Sequence, residues 1–239
     1  MKSHALESTL LLDLGPMTAP RPRVPLSPVP GWFWGDLKPR AYGLIMIDPP
    51  WEQEMFSAET GIKKAPQAKY PCMSLKEIQT LPVAQLAAPN CFVVMWTLWN
   101  FVAPGFATDT LKAWGFQPKS GGAWFKITKN GKLAMGTGYG FRGCNEPFLT
   151  ASIGAPKVRS HAERNGVLTE VEVDAAFELD ALIAQLREHS RKPEEMREAL
   201  ERMFPDVPKV EIFARERRPG WDAWGDQVDD NLFAEGVPA

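Results

Sequence analysis

Apolar and polar positions fall along this chain in blocks whose lengths separate strands from helices. Tyr42–Ile47 (YGLIMI) is a short unbroken apolar run ending at an Asp-Pro-Pro step, the pattern of a strand buried on both faces. Cys91–Trp96 (CFVVMW) reads the same way. Ala123–Thr128, Glu146–Ile153 and Lys209–Ala214 (KVEIFA) are further strand candidates. Helical signals lie between them. Ser74-Leu75-Lys76-Glu77 fits a capping box, so a helix follows it and is interrupted or restarted at Pro82. A second helix near Gly105–Trp114 stops at Gly115, where glycine takes a left-handed terminal position without steric penalty. Pro193 suits the first turn of a third, with Glu194 and Glu195 at its positive end. Met196, Ala199, Leu200 and Met203 then form one apolar stripe.

Apolar strands alternating with helices predict an α/β fold, a mostly parallel sheet with helices on both faces. Such sheets bind ligands at the carboxyl ends of their strands, where Asp48 and Arg215 both fall. Residues 16–30 hold six prolines, so 1–30 is expected to be an extended arm. The domain is expected over 31–228, and 229–239 is a tail. Residues 158–182, polar and charge-segregated, read as an inserted mobile loop region. No internal repeat is present.

Composition narrows the class. Of 239 residues, 44% are hydrophobic and 23% charged, the balance of a soluble globular protein. No apolar run approaches the ~20 residues of a membrane span, and no signal peptide is evident. Cys72, Cys91 and Cys144 lie far apart, which offers neither a disulfide framework nor a zinc site and suggests a cytoplasmic location. Net charge is −2, yet residues 118–165 hold eight basic side chains against two acidic ones. Phosphate contact needs only such a local surface.

Asp48-Pro49-Pro50-Trp51 directly follows the first strand. An exocyclic amine on a nucleobase is a poor nucleophile, because its lone pair is delocalised into the ring. A carboxylate and a backbone carbonyl that accept both N–H bonds free that lone pair. Paired prolines restrict φ and carry no competing amide hydrogen. Trp51 offers a flat face on which a flipped base stacks. The alternative is a rigid turn with Asp48 capping something local.

This stretch resembles the catalytic motif of the beta-class, circularly permuted adenine N6-methyltransferases related to the messenger-RNA m6A-forming subunit, the "methyltransferase A, seventy-kilodalton" family. The resemblance runs in order from about Trp34 to Gln227. It takes in Tyr70-Pro71-Cys72-Met73-Ser74, Trp96-Thr97, Trp124-Phe125-Lys126, Gly136-Thr137-Gly138-Tyr139, Asn145-Glu146, His189-Ser190-Arg191-Lys192-Pro193, Glu211-Ile212-Phe213-Ala214-Arg215 and Trp221–Gln227. It implies a Rossmann-like S-adenosylmethionine-dependent methyltransferase with permuted motif order. The catalytic set would be Asp48, Pro49, Pro50 and Trp51. Substrate would meet Tyr70, Trp96, Lys126, Gly138, Tyr139, Arg142 and Glu146. S-adenosylmethionine would meet Asp48, Lys192, Phe213, Arg215, Asp226 and Gln227, with Lys192 on its carboxylate and Phe213 against its adenine. Asp226 departs from the family's usual asparagine. No metal is implied.

The expected activity is N6-adenine methylation of DNA. The chain leaves no room for an added RNA-binding domain, which favours DNA over RNA. RNA adenine or cytosine N4 methylation, and a non-catalytic partner subunit, are the alternatives. A homodimer is an open expectation, since adenine enzymes without a large target-recognition domain often act in pairs.

Overall fold

The computed structural model describes residues 31–52, 71–128, 132–136, 140–160, 182–185 and 192–228. The proline-rich arm 1–30, the tail 229–239 and most of the expected insertion lie outside them.

The chain enters the sheet through β1 (Tyr42–Ile47), whose six residues are all buried. Ile45 and Ile47 face one side and Leu44 and Met46 the other, because strand side chains alternate. An unbroken apolar run is therefore what two covered faces require. The capped helix α1 (Leu75–Thr80) follows, with the Ser74 hydroxyl accepting from the Glu77 amide and the Glu77 carboxylate accepting from the Ser74 amide. A 3-10 turn at Val83–Gln85 restarts after Pro82, then β2 (Ala87–Trp96) returns through the core. Two helices come next, α2 (Trp99–Val102) and α3 (Phe106–Ala113), the latter ending before Gly115 at φ +83°. The strands β3 (Gln117–Ile127), β4 (Asn145–Ile153) and β5 (Leu182–Gln185) complete one wing. α4 (Glu194–Met203), β6 (Lys209–Ile212) and β7 (Asp222–Trp224) form the other.

The seven strands lie in the order β5-β3-β4-β2-β1-β6-β7. Among them β4 runs antiparallel to both neighbours, and the remaining pairings are parallel. The expected mostly parallel sheet is what forms. One face packs Ile45, Ile47, Val93 and Met95 against Ile78, Phe101 and Leu111. The opposite face packs Leu44, Met46, Val94 and Trp96 against Met196 and Leu200 of α4. Helices therefore cover both faces, and the predicted stripe of α4 supplies one of them.

Several boundaries differ from the sequence expectation. β3 begins at Gln117, six residues before Ala123, because its first half pairs with β4 alone and stays partly exposed, so it needs no apolar run. α2, β5 and β7 were not anticipated; each has four residues or fewer, too short for a periodic signal. Strand order reverses at β1, which has β2 on one side and β6 on the other. A crevice at such a reversal is the common ligand site of open α/β sheets.

Candidate active site

Asp48 follows the carboxyl end of β1 at that reversal, its amide 3.4 Å from the Ile212 carbonyl of β6. The turn behind it is tied down three times. The Trp51 amide donates to the Pro49 carbonyl at 2.8 Å, the Met73 amide to the Pro50 carbonyl at 2.8 Å, and the Glu52 amide to the Met73 carbonyl at 3.0 Å. Pro49 thus spends one lone pair of its carbonyl within the turn and keeps the second.

A row of alternating charges runs inward from Asp48. The Lys192 ammonium lies 2.7 Å from Asp48 Oδ2 and 2.7 Å from Glu146 Oε1, and Lys126 lies 2.8 Å from Glu146 Oε2. Two carboxylates and two ammonium groups cancel. The Lys192 side chain is 7% exposed, and its ammonium sits 5.5 Å above the Trp96 ring. Burial pushes the Asp48 carboxyl above its usual range. Lys192 and Arg215 pull it down and Glu146 pushes it up, leaving a net rise. Burial would also raise Glu146, but Lys192 and Lys126 outweigh that and hold it low. For Lys192, burial favours the neutral form, and the two carboxylates reverse the sign, so the ammonium is held charged. A carboxyl poised upward at a strand end is suited to taking a proton during chemistry.

The other side of the strand end is built by β6 and β7. Phe213, at the end of β6, adopts φ +61°, a left-handed conformation that costs an aromatic residue about 1–3 kcal/mol and persists mostly at functional sites. Its ring stands edge-on to Trp224 at 5.5 Å. Trp224 in turn contacts Trp34 at 5.0 Å and Phe33 at 5.4 Å, and Trp34 donates to the Pro82 carbonyl. Gly225 lets two chain segments meet, since a β-carbon there would stand 2.3 Å from the Ala214 carbonyl oxygen. Asp226 and Gln227 follow with exposed side chains. The half-buried ring and the exposed oxygens and amide beyond it are groups that could hold the adenine and ribose of S-adenosylmethionine.

The structure brings Asp48, Lys126, Glu146 and Lys192 into one network, with Arg215 close enough to act on Asp48. Three expected roles change. Trp51 is 5% exposed, with its ring 4.7 Å from Phe101 and its N–H donating to the Trp96 carbonyl at 3.1 Å, so it pins the turn to the core instead of offering an open stacking face. Trp96 is fully buried against Trp124 and Phe148 and forms the floor under Lys192. Glu146 is a buried counter-ion facing two lysines. Lys192 has committed two of its three N–H donors to Asp48 and Glu146, which leaves one for a cofactor carboxylate. Arg142 is exposed and donates to the Gly136 carbonyl. Tyr70, Gly138, Tyr139 and His189 lie outside the described residues.

Sequence reading missed three features. Trp99, half-exposed just beyond β2, donates its N–H to Asn145. Arg197 faces inward from α4 and grips Glu211 of β6 with bonds of 2.7–3.0 Å, a charge pair hidden inside an otherwise polar helix face. Phe141 is an aromatic left almost wholly in solvent. Among the described residues no three His, Cys, Asp or Glu side chains cluster as a metal site, and no helix is long and apolar enough to cross a membrane.

The model of the MT-A70 family matches residues 42–227. The chain is 28% identical to the type II methyltransferase M.MunI of a Mycoplasma species, over 80% of each chain. It is 26% identical to the human N(6)-adenine-specific methyltransferase METTL4, over 79% of this chain and 38% of that one. It is 28% identical to the N(6)-adenosine-methyltransferase MT-A70-like of Arabidopsis thaliana, over 83% of this chain and 25% of that one. The chain therefore spans most of the first relative and well under half of the other two.

Proposed function

Because this chain belongs to the MT-A70 family of methyltransferases, we propose that it methylates the exocyclic 6-amino group of adenine in DNA, using S-adenosylmethionine. The observation that carries this reading is the placement of Asp48 at the end of β1, bonded to Lys192 and next to the strand end that carries the left-handed Phe213. S-adenosylmethionine supplies a methyl group already activated by its sulfonium. The chain's residues do the rest. Lys192 holds Asp48 Oδ2, so Oδ1 and the spare lone pair of the Pro49 carbonyl accept the two N–H bonds of the amine. When bound, the cofactor would give up its methyl carbon to the amine nitrogen and keep the electrons of the C–S bond on sulfur. Asp48 and the Pro49 carbonyl would hold the amine in line, and Asp48 would receive its surplus proton.

Relatives named for adenine or adenosine support the target base. A type II methyltransferase and an adenine-specific methyltransferase among the relatives support DNA over RNA as the substrate. The basic excess in residues 118–165 would supply phosphate contacts. The catalytic domain would span 31–228, with 1–30 and 229–239 as extensions, in a reducing cytoplasm that suits three free thiols.

The test is incubation with labelled S-adenosylmethionine and duplex DNA, single-stranded DNA or RNA, followed by nucleoside mass spectrometry. N6-methyladenine is expected in DNA. Asp48→Asn should lower the rate by about 10²–10⁴-fold. Methylation confined to RNA would reassign the substrate. Transfer to none of the three, or full activity in Asp48→Asn, would reject the reading.

A further inference from the structure

The loop from β3 to β4 carries large apolar side chains in solvent. Phe141 is 92% exposed, Met135 66% and Leu133 53%. The backbone carrying them is tied into a hairpin. The Thr128 amide donates to the Lys132 carbonyl at 2.7 Å, the Ala134 amide to the Lys126 carbonyl at 2.7 Å, and the Gly136 amide to the Gly143 carbonyl at 2.6 Å. Apolar groups presented this way beside hydrogen-bonded backbone mark a contact surface.

Charge identifies the occupant. Residues 128–144 contain Lys129, Lys132 and Arg142 and no acid. A second copy of the chain would set this positive charge against itself. A polyanion with planar groups between its phosphates meets both halves of the pattern. Position agrees, because Phe141 stands five residues before Glu146, at most about 18 Å along the chain, and Glu146 is linked through Lys192 to Asp48.

We propose that Phe141 enters the duplex next to the target adenine and fills the gap left in the stack, with Met135 and Leu133 as further apolar contacts of the same loop, while Lys132 and Arg142 meet the adjoining phosphates. The inference rests on the reading above that the substrate is adenine in DNA. In a duplex that amine is paired and stacked, so the base must leave the helix to reach Asp48, and an apolar wedge offsets the lost stacking.

Full-length wild type and Phe141→Ala are compared on one adenine-containing sequence as matched duplex, as duplex with the target mispaired, and as single strand. A 2-aminopurine at the target position reads unstacking by fluorescence, with or without methyl transfer. The variant should lose about tenfold or more on the matched duplex, less on the mispaired one and nothing on the single strand. It should also fail to brighten the probe while binding cofactor normally, and Phe141→Trp should restore both signals. Equal loss on all three substrates, or no loss on the matched duplex, overturns the proposal. So does a wild-type dimer that Phe141→Ala dissociates in sedimentation. If wild type brightens the probe yet methylates none of the substrates, the wedge stands and the methylation reading fails.

Discussion

Removing the Lys192 ammonium while keeping its stem should destabilise the protein through the charges left behind. In Lys192→Met, Asp48 and Glu146 lose a partner 2.7 Å from each, and the four-charge row is left with two negative charges against Lys126 alone. Breaking a buried pair from one side costs about 3–5 kcal/mol. For a chain of this size that is a fall in Tm of roughly 6–20 °C. Lys112→Met is the control, because Lys112 and Asp109 form an exposed pair worth under about 1 kcal/mol. The loss should also depend on pH. Without the ammonium both carboxyls titrate higher in the folded chain than in the unfolded one, so the folded state binds more protons and the variant regains stability as pH falls. Urea unfolding followed by tryptophan fluorescence at pH 8 and pH 5 measures both effects. A loss below about 1 kcal/mol at pH 8, or an equal loss at the two pH values, would refute the argument that Lys192 neutralises a buried pair.

Three further outcomes follow from the same geometry. The Glu146 carboxylate raises Asp48, so Glu146→Gln should move the acid limb of the kcat/KM profile to lower pH; an upward shift or none would contradict the coupling. Trp51→Phe keeps ring packing and loses one buried hydrogen bond, which should cost about 1 kcal/mol in unfolding and leave KM for nucleic acid nearly unchanged; a several-fold rise in that KM would return Trp51 to a base-stacking role. Gly225→Ala should cost about 1–3 kcal/mol through overpacking against Ala214 and weaken S-adenosylmethionine binding by calorimetry; wild-type affinity would detach this turn from the cofactor site.

Local pattern was enough for the central strands, the capping box at Ser74, the glycine stop at Gly115 and the stripe of α4. Each of these is specified by neighbours within a few residues, and the apolar run of β1 states directly that both faces are covered. The same run delivered Asp48 to a strand end, so its place in the sheet was legible before any contact was known. Tertiary structure decided the partners. It placed Lys192, 144 positions after Asp48 in the chain, against that carboxylate, and it turned Glu146 inward as the counter-ion of two lysines. It buried the indole of Trp51 while leaving Phe141 in solvent, although both are aromatic residues near glycine and proline turns. Residue type fixes what a side chain can do, but charge pairing and exposure depend on what long-range packing brings beside it, and that information is held by the fold as a whole.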